Sequence, residues 1–311
     1  MKICWRPDEF EKLDYAVVTS GTFDGVHFGH QRILGRLHEI AEKNGGETVV
    51  LTYWPHPRLV LFPEEELFLL TSIEEKAELL SKFHIDHLVV IPFTRQFAQT
   101  RSEAFIKDIL VDKIGLKKLV IGYDHRFGKN RSGQFDVLKK DAPVYGFEVE
   151  EIPKQMIENN AVSSTKIRRA LLEGRIEIAD EYLGRPYSIH GKVVEGDKIG
   201  RTIGFPTANI EVLFKHKLIP AEGVFAVRVK VLGKAYRGML NIGYRPTFNG
   251  TKKRMEVHIF DFDKEIYDEE ITVGFYRKIR SEMKFQNAEE LKAQLADDKL
   301  AAMKILGNIV L

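Results

Sequence analysis

The sequence predicts two lobes: a doubly wound α/β domain over residues 1–184 and an antiparallel β domain, a barrel or sandwich followed by a terminal helix, over residues 185–311. Three observations carry that reading. In the first half, apolar β-rich runs alternate with segments of helical period, the pattern of a parallel sheet covered on both faces. In the second half, short β-rich runs follow one another with no helix between them, separated by glycine and charged turns. Between the halves, a helical pattern through Ile176 to Leu183 stops at Gly184-Arg185-Pro186, a glycine C-cap followed closely by proline. A chain of 311 residues is long for one core and fits two domains.

The elements follow in order. An apolar run from Tyr15 to Thr19 reads as a strand, Gly21 to His30 as a tight glycine turn, and the segment carrying Ile33, Leu34, Leu37, Ile40 and Ala41 as a helix. Glu47 to Tyr53 is a buried strand emptying into Trp54-Pro55-His56-Pro57. Thr71-Ser72 before Glu74-Glu75 forms a capping box for a helix through Phe83, Asp86 to Ile91 is a strand, Ser102 to about Ile114 a helix, and Lys118 to Gly122 another strand. Ligands in such sheets bind beyond the carboxyl ends of the strands. That rule selects the turn at Gly21 to His30, the loop at Trp54 to Pro57, the loop after Gly122 and the turn near Ser163. In the second half the β-rich runs are Tyr187 to Val194, Gly223 to Val231, Ala235 to Ile242, Arg254 to Phe260 and Ile266 to Phe275, and an amphipathic helix runs from about Ala288 to Leu306. There is no internal repeat and no low-complexity tract.

Composition narrows the classes. Lys+Arg at 47 against Asp+Glu at 45 leaves a net charge of +2, too balanced for nucleic acid to be the main partner. Cys4 is the only cysteine, so neither an intrachain disulfide nor a cysteine zinc site can form, and a reducing compartment fits. Met1 to Phe10 is polar with no apolar core, unlike a secretory signal, and no apolar run is long enough to span a bilayer. A soluble, cytoplasmic protein with no membrane partner is expected.

The chemistry starts at Gly21-Thr22-Phe23-Asp24-Gly25-Val26-His27-Phe28-Gly29-His30. A strand–turn–helix of this kind aims backbone N–H groups and the positive end of the helix dipole at one point, where an anion belongs. His27 and His30 frame that point, and Gly29 leaves it open. Neither G-x-x-x-x-G-K-[ST] nor G-x-G-x-x-G occurs. Ser163-Ser164-Thr165-Lys166-Ile167-Arg168 opens a second helix start; its hydroxyls are ordinarily caps, but with Arg168 one turn along they could hold outer phosphates. In the second half, Thr207 and Asn209 of an extended segment offer hard oxygens suited to Mg²⁺. In Arg254 to Phe260, Glu256 faces away from Met255, Val257 and Ile259.

These strings carry a resemblance. G-T-F-D-G-V-H-x-G-H resembles the H-x-G-H signature of nucleotidylyltransferases, and in its longer form that of the bacterial bifunctional riboflavin kinase/FMN adenylyltransferase (FAD synthetase) family. Gly122-Tyr123-Asp124-His125-Arg126-Phe127-Gly128 is similar to the family's G-x-D-F-R-F-G, departing from it at His125. Ser163 to Arg168 resembles S-S-T-x-I-R, Gly200-Arg201-Thr202-Ile203-Gly204-Phe205-Pro206-Thr207-Ala208-Asn209 resembles the riboflavin kinase motif G-R-x-x-G-F-P-T-A-N, and Asn241 to Phe248 resembles N-I-G-x-R-P-T-F. The resemblance covers nearly the whole chain, and no K-M-S-K-S-like loop of aminoacyl-tRNA synthetases is present.

It implies a Rossmann-like nucleotidylyltransferase domain and a riboflavin kinase barrel that turn riboflavin and ATP into FMN, then FMN and ATP into FAD. It further implies His27 and His30 acting on the ATP phosphates, with Gly21, Phe23, Asp24, Gly25, Gly29, Asp124, Arg126, Ser163, Ser164, Thr165 and Arg168 binding nucleotide. In the barrel, Gly200, Arg201 and Gly204 would bind nucleotide, Thr207 and Asn209 magnesium, Glu256 would be the base and Arg280 would lie near the flavin. The other readings are a flavin- or nucleotide-binding regulator without turnover, an enzyme with one active half, and an RNA-binding module resting on the basic loops.

Overall fold

The apolar runs of the first half assemble into six parallel strands: β1 Lys2–Cys4, β2 Ala16–Ser20, β3 Glu47–Trp54, β4 His87–Pro92, β5 Leu116–Gly122 and β6 Glu148–Ile152, in the order β1-β4-β3-β2-β5-β6. The computed structural model describes residues 1–122, 135–153, 162–196, 199–247 and 250–307, and its contacts divide the chain into Met1–Ser164 and Thr165–Leu311. Side chains alternate along each strand, and both faces are buried. Val17, Val50, Leu88 and Val120 face helices α1 (Phe28–Asn44) and α2 (Ile73–Ser81) through Leu34, Leu37 and Leu80. Val18, Leu51, Val89 and Leu119 face α3 (Phe105–Ile114), wound as a π-helix, and α4 (Phe135–Tyr145). Each fully buried leucine in these layers contributes about 2 kcal/mol, so the layers, not helix propensity, hold the sheet.

The capping box forms as the sequence suggests: Ser72 Oγ accepts from Glu75 N–H at 3.1 Å, and Glu75 Oε2 accepts from Ser72 N–H at 2.9 Å. Three elements go beyond the sequence reading. The polar N-terminus supplies β1, an edge strand on β4, through backbone pairing that needs no apolar run. Helix α4 carries Pro143, which hides its helical character. Strand β6, Glu-Val-Glu-Glu-Ile, is too acidic to read as a buried strand; it is the other edge, and Arg36 and Lys118 meet its Glu150 at 2.6 and 3.1 Å.

Beyond the first unit, α5 (Ser164–Leu172) and α6 (Ile176–Leu183) lead to the β domain; α6 ends at Gly184 in the left-handed conformation, φ 70°. Strands β7 Ser188–Val194, β8 Ala208–Val212, β9 Gly223–Val231, β10 Lys234–Thr247, β11 Gly250–Ile259 and β12 Glu270–Arg280 close antiparallel in the order β10-β11-β8-β7-β12-β9. Closure makes this a barrel and not a sandwich. Phe225 and Phe275 are fully buried, their rings edge to face at 5.5 Å. Helix α7 (Ala288–Gly307) packs Ala302 and Leu306 on Val224, Ala226 and Met239.

Asp180 ties α6 to the barrel: its Oδ1 accepts the Tyr187 N–H at 2.7 Å. Burial pushes its carboxyl up to about 8 from 3.8, against the pull of that N–H and of Arg185, with Glu177 adding to the rise. The folded form holds its proton to higher pH than the unfolded chain, so stability falls as pH climbs through that window. Asp180→Asn keeps an oxygen for Tyr187 and carries no charge. Thermal denaturation at about pH 8 should place its midpoint above that of the wild type, with the two converging at about pH 4; a lower midpoint at the higher pH would contradict this.

Candidate active sites

The turn between β2 and α1 lies where the strand order reverses, with β3 on one side of β2 and β5 on the other. Its backbone is strained. Phe23 and Val26 take φ of 46° and 41°, positions that cost a non-glycine residue about 1–3 kcal/mol each. Asp24 holds them there. Its buried carboxylate accepts from Leu70 N–H at 3.0 Å, Thr71 N–H at 3.1 Å and the Thr71 hydroxyl at 3.2 Å, while Gly25 N–H donates back to Thr71 Oγ1 at 3.2 Å. The Asp24 side chain thus shapes the turn.

His27 precedes α1 and His30 lies in its first turn, with buried Gly29 between them. Their rings stack at 3.7 Å between centroids, 16° from parallel, and Phe23 covers His30 at 5.0 Å. Burial holds the His30 pKa well below its usual value, and His27 and Lys76 add to the effect, so the ring is neutral at ordinary pH. His30 Nδ1 is buried with no hydrogen-bond partner among the described residues. Such an orphan is a place for a ligand.

Ser164 comes to the same turn: its hydroxyl donates to the Asp24 carbonyl at 2.9 Å. Two helix starts 140 residues apart in sequence therefore meet. Ser163 is half-buried, Thr165 exposed and Arg168 half-buried on α5. Gly21 N–H donates to the Leu51 carbonyl, tying the turn to β3. Gly122 ends β5 beside β2; Asp124, His125 and Arg126 lie outside the described residues. The sequence reading missed Lys76, although Ile73, Lys76, Ala77 and Leu80 share the helical spacing of a buried stripe, a signal that could have found it.

In the barrel, strand register sets the site. Glu256 of β11 stands opposite Asn209 of β8 and Asn241 of β10, so these three side chains share one face. Glu256, about a third exposed, pairs with Arg254 at 3.3 Å on the wall of a cavity of about 530 Å³ that also holds Asn241, Glu282 and Lys284. Asn209 is buried, its Oδ1 without a hydrogen-bond partner among the described residues, and borders a second cavity of about 500 Å³ shared with Arg254 and Lys253. A Cβ on Gly196 would run into the Asn209 amide, so a side chain there displaces that amide from its place. Thr207 is exposed and lines a third cavity, about 450 Å³, with Arg201 and Tyr267. The expected magnesium pair thus borders different cavities.

Gly200 passes beneath the Phe205 carbonyl, where a Cβ would collide, and its own carbonyl accepts the Phe205 N–H at 2.8 Å; Gly204 completes the loop at φ 86°. No group of three or more His, Cys, Asp or Glu side chains among the described residues is placed to hold a metal. The donor set instead fits a hard cation that brings phosphate oxygens of its own and needs few from protein. The Arg280 guanidinium grips Asp298 of α7 through both oxygens at 2.8–3.0 Å and donates to the Ser281 carbonyl. Asp298, only 1% exposed, is its counter-ion and was not legible from sequence.

The family model for FAD synthetase matches residues 9–166, and that for riboflavin kinase matches residues 183–306. The chain is 43% identical to the bifunctional riboflavin kinase/FMN adenylyltransferase of Listeria monocytogenes, covering 94% of this chain and 92% of that protein. It is 41% identical to the protein of the same name from Buchnera aphidicola (subsp. Schizaphis graminum), with 91% of each covered, and 38% identical to that of Escherichia coli K12, with 94% and 93% covered. A crystal structure from Streptococcus pneumoniae, described as a macrolide-efflux protein, superposes with a TM-score of 0.88 at 32% identity over 97% of this chain and 98% of that one. No helix among the described residues is long and apolar enough to cross a membrane.

Asp24→Ala would orphan buried donors on Leu70 and Thr71, at about 1–3 kcal/mol each, and release the strained turn. Denaturant unfolding should show the unit Met1–Ser164 destabilised by at least about 2 kcal/mol. A change below about 0.5 kcal/mol would mean the turn holds its shape without the carboxylate.

Proposed function

The chain belongs to the bifunctional riboflavin kinase/FMN adenylyltransferase family and makes FMN and FAD, and we propose the following division of the two reactions among its residues. Residues 1–184 carry adenylyl transfer and residues 185–311 the phosphorylation. The observation that carries the first assignment is the hydrogen bond from Ser164 to the Asp24 carbonyl, which joins two phosphate-binding helix starts.

In the barrel, the 5′-hydroxyl oxygen of riboflavin bonds to the γ-phosphorus of ATP as the bond from that phosphorus to the bridging oxygen of ADP breaks. Glu256 takes the hydroxyl proton; its place beside the cavity at Asn241 and its partial exposure support that role. Magnesium, when bound, neutralises charge on the polyphosphate. Asn209 Oδ1, buried and unspent, suits it, and Thr207 would reach the same phosphates from the neighbouring cavity. Gly200, Arg201 and Gly204 shape the loop over the nucleotide. Arg280, held by Asp298, sets the Ser281–Phe285 segment against the flavin.

In the N-terminal domain, a phosphate oxygen of FMN bonds to the α-phosphorus of ATP as the bond to pyrophosphate breaks. No covalent enzyme intermediate is required; positioning and charge stabilisation suffice. The rings of His27 and His30, the latter neutral, donate to the departing phosphates, while Gly21 to Gly25 bring their backbone to the nucleotide. Ser163, Ser164, Thr165 and Arg168 grip the outer phosphates, and Asp124 and Arg126 the nucleotide and FMN. Neither nucleic acid nor membrane enters this scheme.

Chromatographic assay of each half-reaction tests the division. His30→Ala should slow FAD formation from FMN about 100-fold and leave FMN formation within about twofold, with the reverse pattern for Glu256→Gln. Equal loss of both steps in either variant would refute separate sites. Gly196→Ala, which displaces the Asn209 amide, should cut FMN formation at least about tenfold and spare FAD formation; unchanged FMN formation would remove Asn209 from the site.

A further inference from the structure

Lys76 lies in the apolar stripe of α2 and is 3% exposed. Burying an ammonium group is costly unless its charge and donors are met. Among the described residues, its Nζ donates to Thr52 Oγ1 at 3.2 Å, and the Thr52 hydroxyl in turn donates to the Thr22 carbonyl at 3.3 Å. The Trp54 ring lies 5.8 Å from the nitrogen. The ionisable groups facing Lys76 are Asp24 from the turn and His30 from α1. Asp24 offsets the charge at a distance, its oxygens being taken by Leu70 and Thr71. An ammonium has three donors, so two are unspent among the described residues.

A buried cation with donors to spare, chained through one hydroxyl to the backbone of an anion-binding turn, is completed by an anion in that turn. We infer that Lys76 is a positioning residue for adenylyl transfer, fixing the Thr22 carbonyl through Thr52 so that the turn's N–H groups face the nucleotide phosphates, and supplying the fixed positive charge beneath them. The inference rests on the assignment of adenylyl transfer to this turn. No bond to Lys76 forms or breaks in the step, and no proton leaves it. The division of labour is physical: His30 is neutral, so within the turn itself the positive charge comes from Lys76, while Arg168 meets the outer phosphates.

The test is the pH dependence of FAD formation in the full-length enzyme. Burial pulls the Lys76 pKa down to about 8, opposed by Asp24, so the ammonium is lost as pH rises through that value. In the wild type, kcat/KM for ATP in FAD formation should therefore fall above about pH 8. Lys76→Met, similar in length and uncharged, should raise KM for ATP at least about tenfold at neutral pH and show no such fall, while FMN formation by the same chain stays within about twofold. Lys76→Arg should stay within about threefold of the wild type and also lose the fall. Thr52→Val, which cuts the chain to Thr22 and leaves the lysine, should raise KM while keeping the fall, and it serves if Lys76→Met does not fold. Wild-type KM and an unchanged pH profile in Lys76→Met, alongside loss of FAD formation in His30→Ala, would overturn the role of Lys76 alone. No loss in either would overturn the site.

Discussion

The N-terminal domain depends on one buried carboxylate. Asp24 holds a turn in which Phe23 and Val26 are left-handed, a shape that local preference opposes by about 1–3 kcal/mol per residue. It does so by collecting donors from Leu70 and Thr71, which lead into α2, while its own carbonyl receives the Ser164 hydroxyl at the start of α5. One residue therefore couples the first helix start, the segment before α2 and the second helix start. Strain that a function requires is kept only where surrounding bonds over-determine it, and the network around Asp24 does that.

The barrel solves a different problem. It keeps Asn209 Oδ1, without a hydrogen-bond partner among the described residues, beside the Glu256 carboxylate without letting the strands part. Closure does this: with no free edge, Asn209 and Glu256 are fixed by backbone pairing on both sides, and their side chains need not bond each other to stay in place. Asn209 can then leave Oδ1 unspent. The bidentate Arg280–Asp298 pair fastens α7 to β12 next to this face. Removing either partner would strand a buried charge, at about 3–5 kcal/mol.

The fold was legible wherever burial was two-sided or periodic. Helix α6 and strand β9 take the bounds their periodicity gives, Ile176–Leu183 and Gly223–Val231. Edge elements were less legible, because β1 and β6 are held by backbone pairing and by Arg36 and Lys118, which leave no apolar signature. Within the first turn, the meeting of His27 and His30 was legible because local spacing aims both rings to one side, whereas Ser164 reaches that turn from 140 residues away. The partners of Asp24 and Arg280 were not legible, since Leu70, Thr71 and Asp298 are distant in sequence and of ordinary type. Strand register, which sets Asn209 against Glu256, is likewise invisible until the sheet is assembled.

Two nucleotide sites, built independently on a strained turn and on a closed barrel, are the core of this account. Calorimetric titration of the intact enzyme with a non-hydrolysable ATP analogue and magnesium tests it most directly. The account predicts two equivalents of analogue bound per chain. Saturation at one equivalent would contradict it.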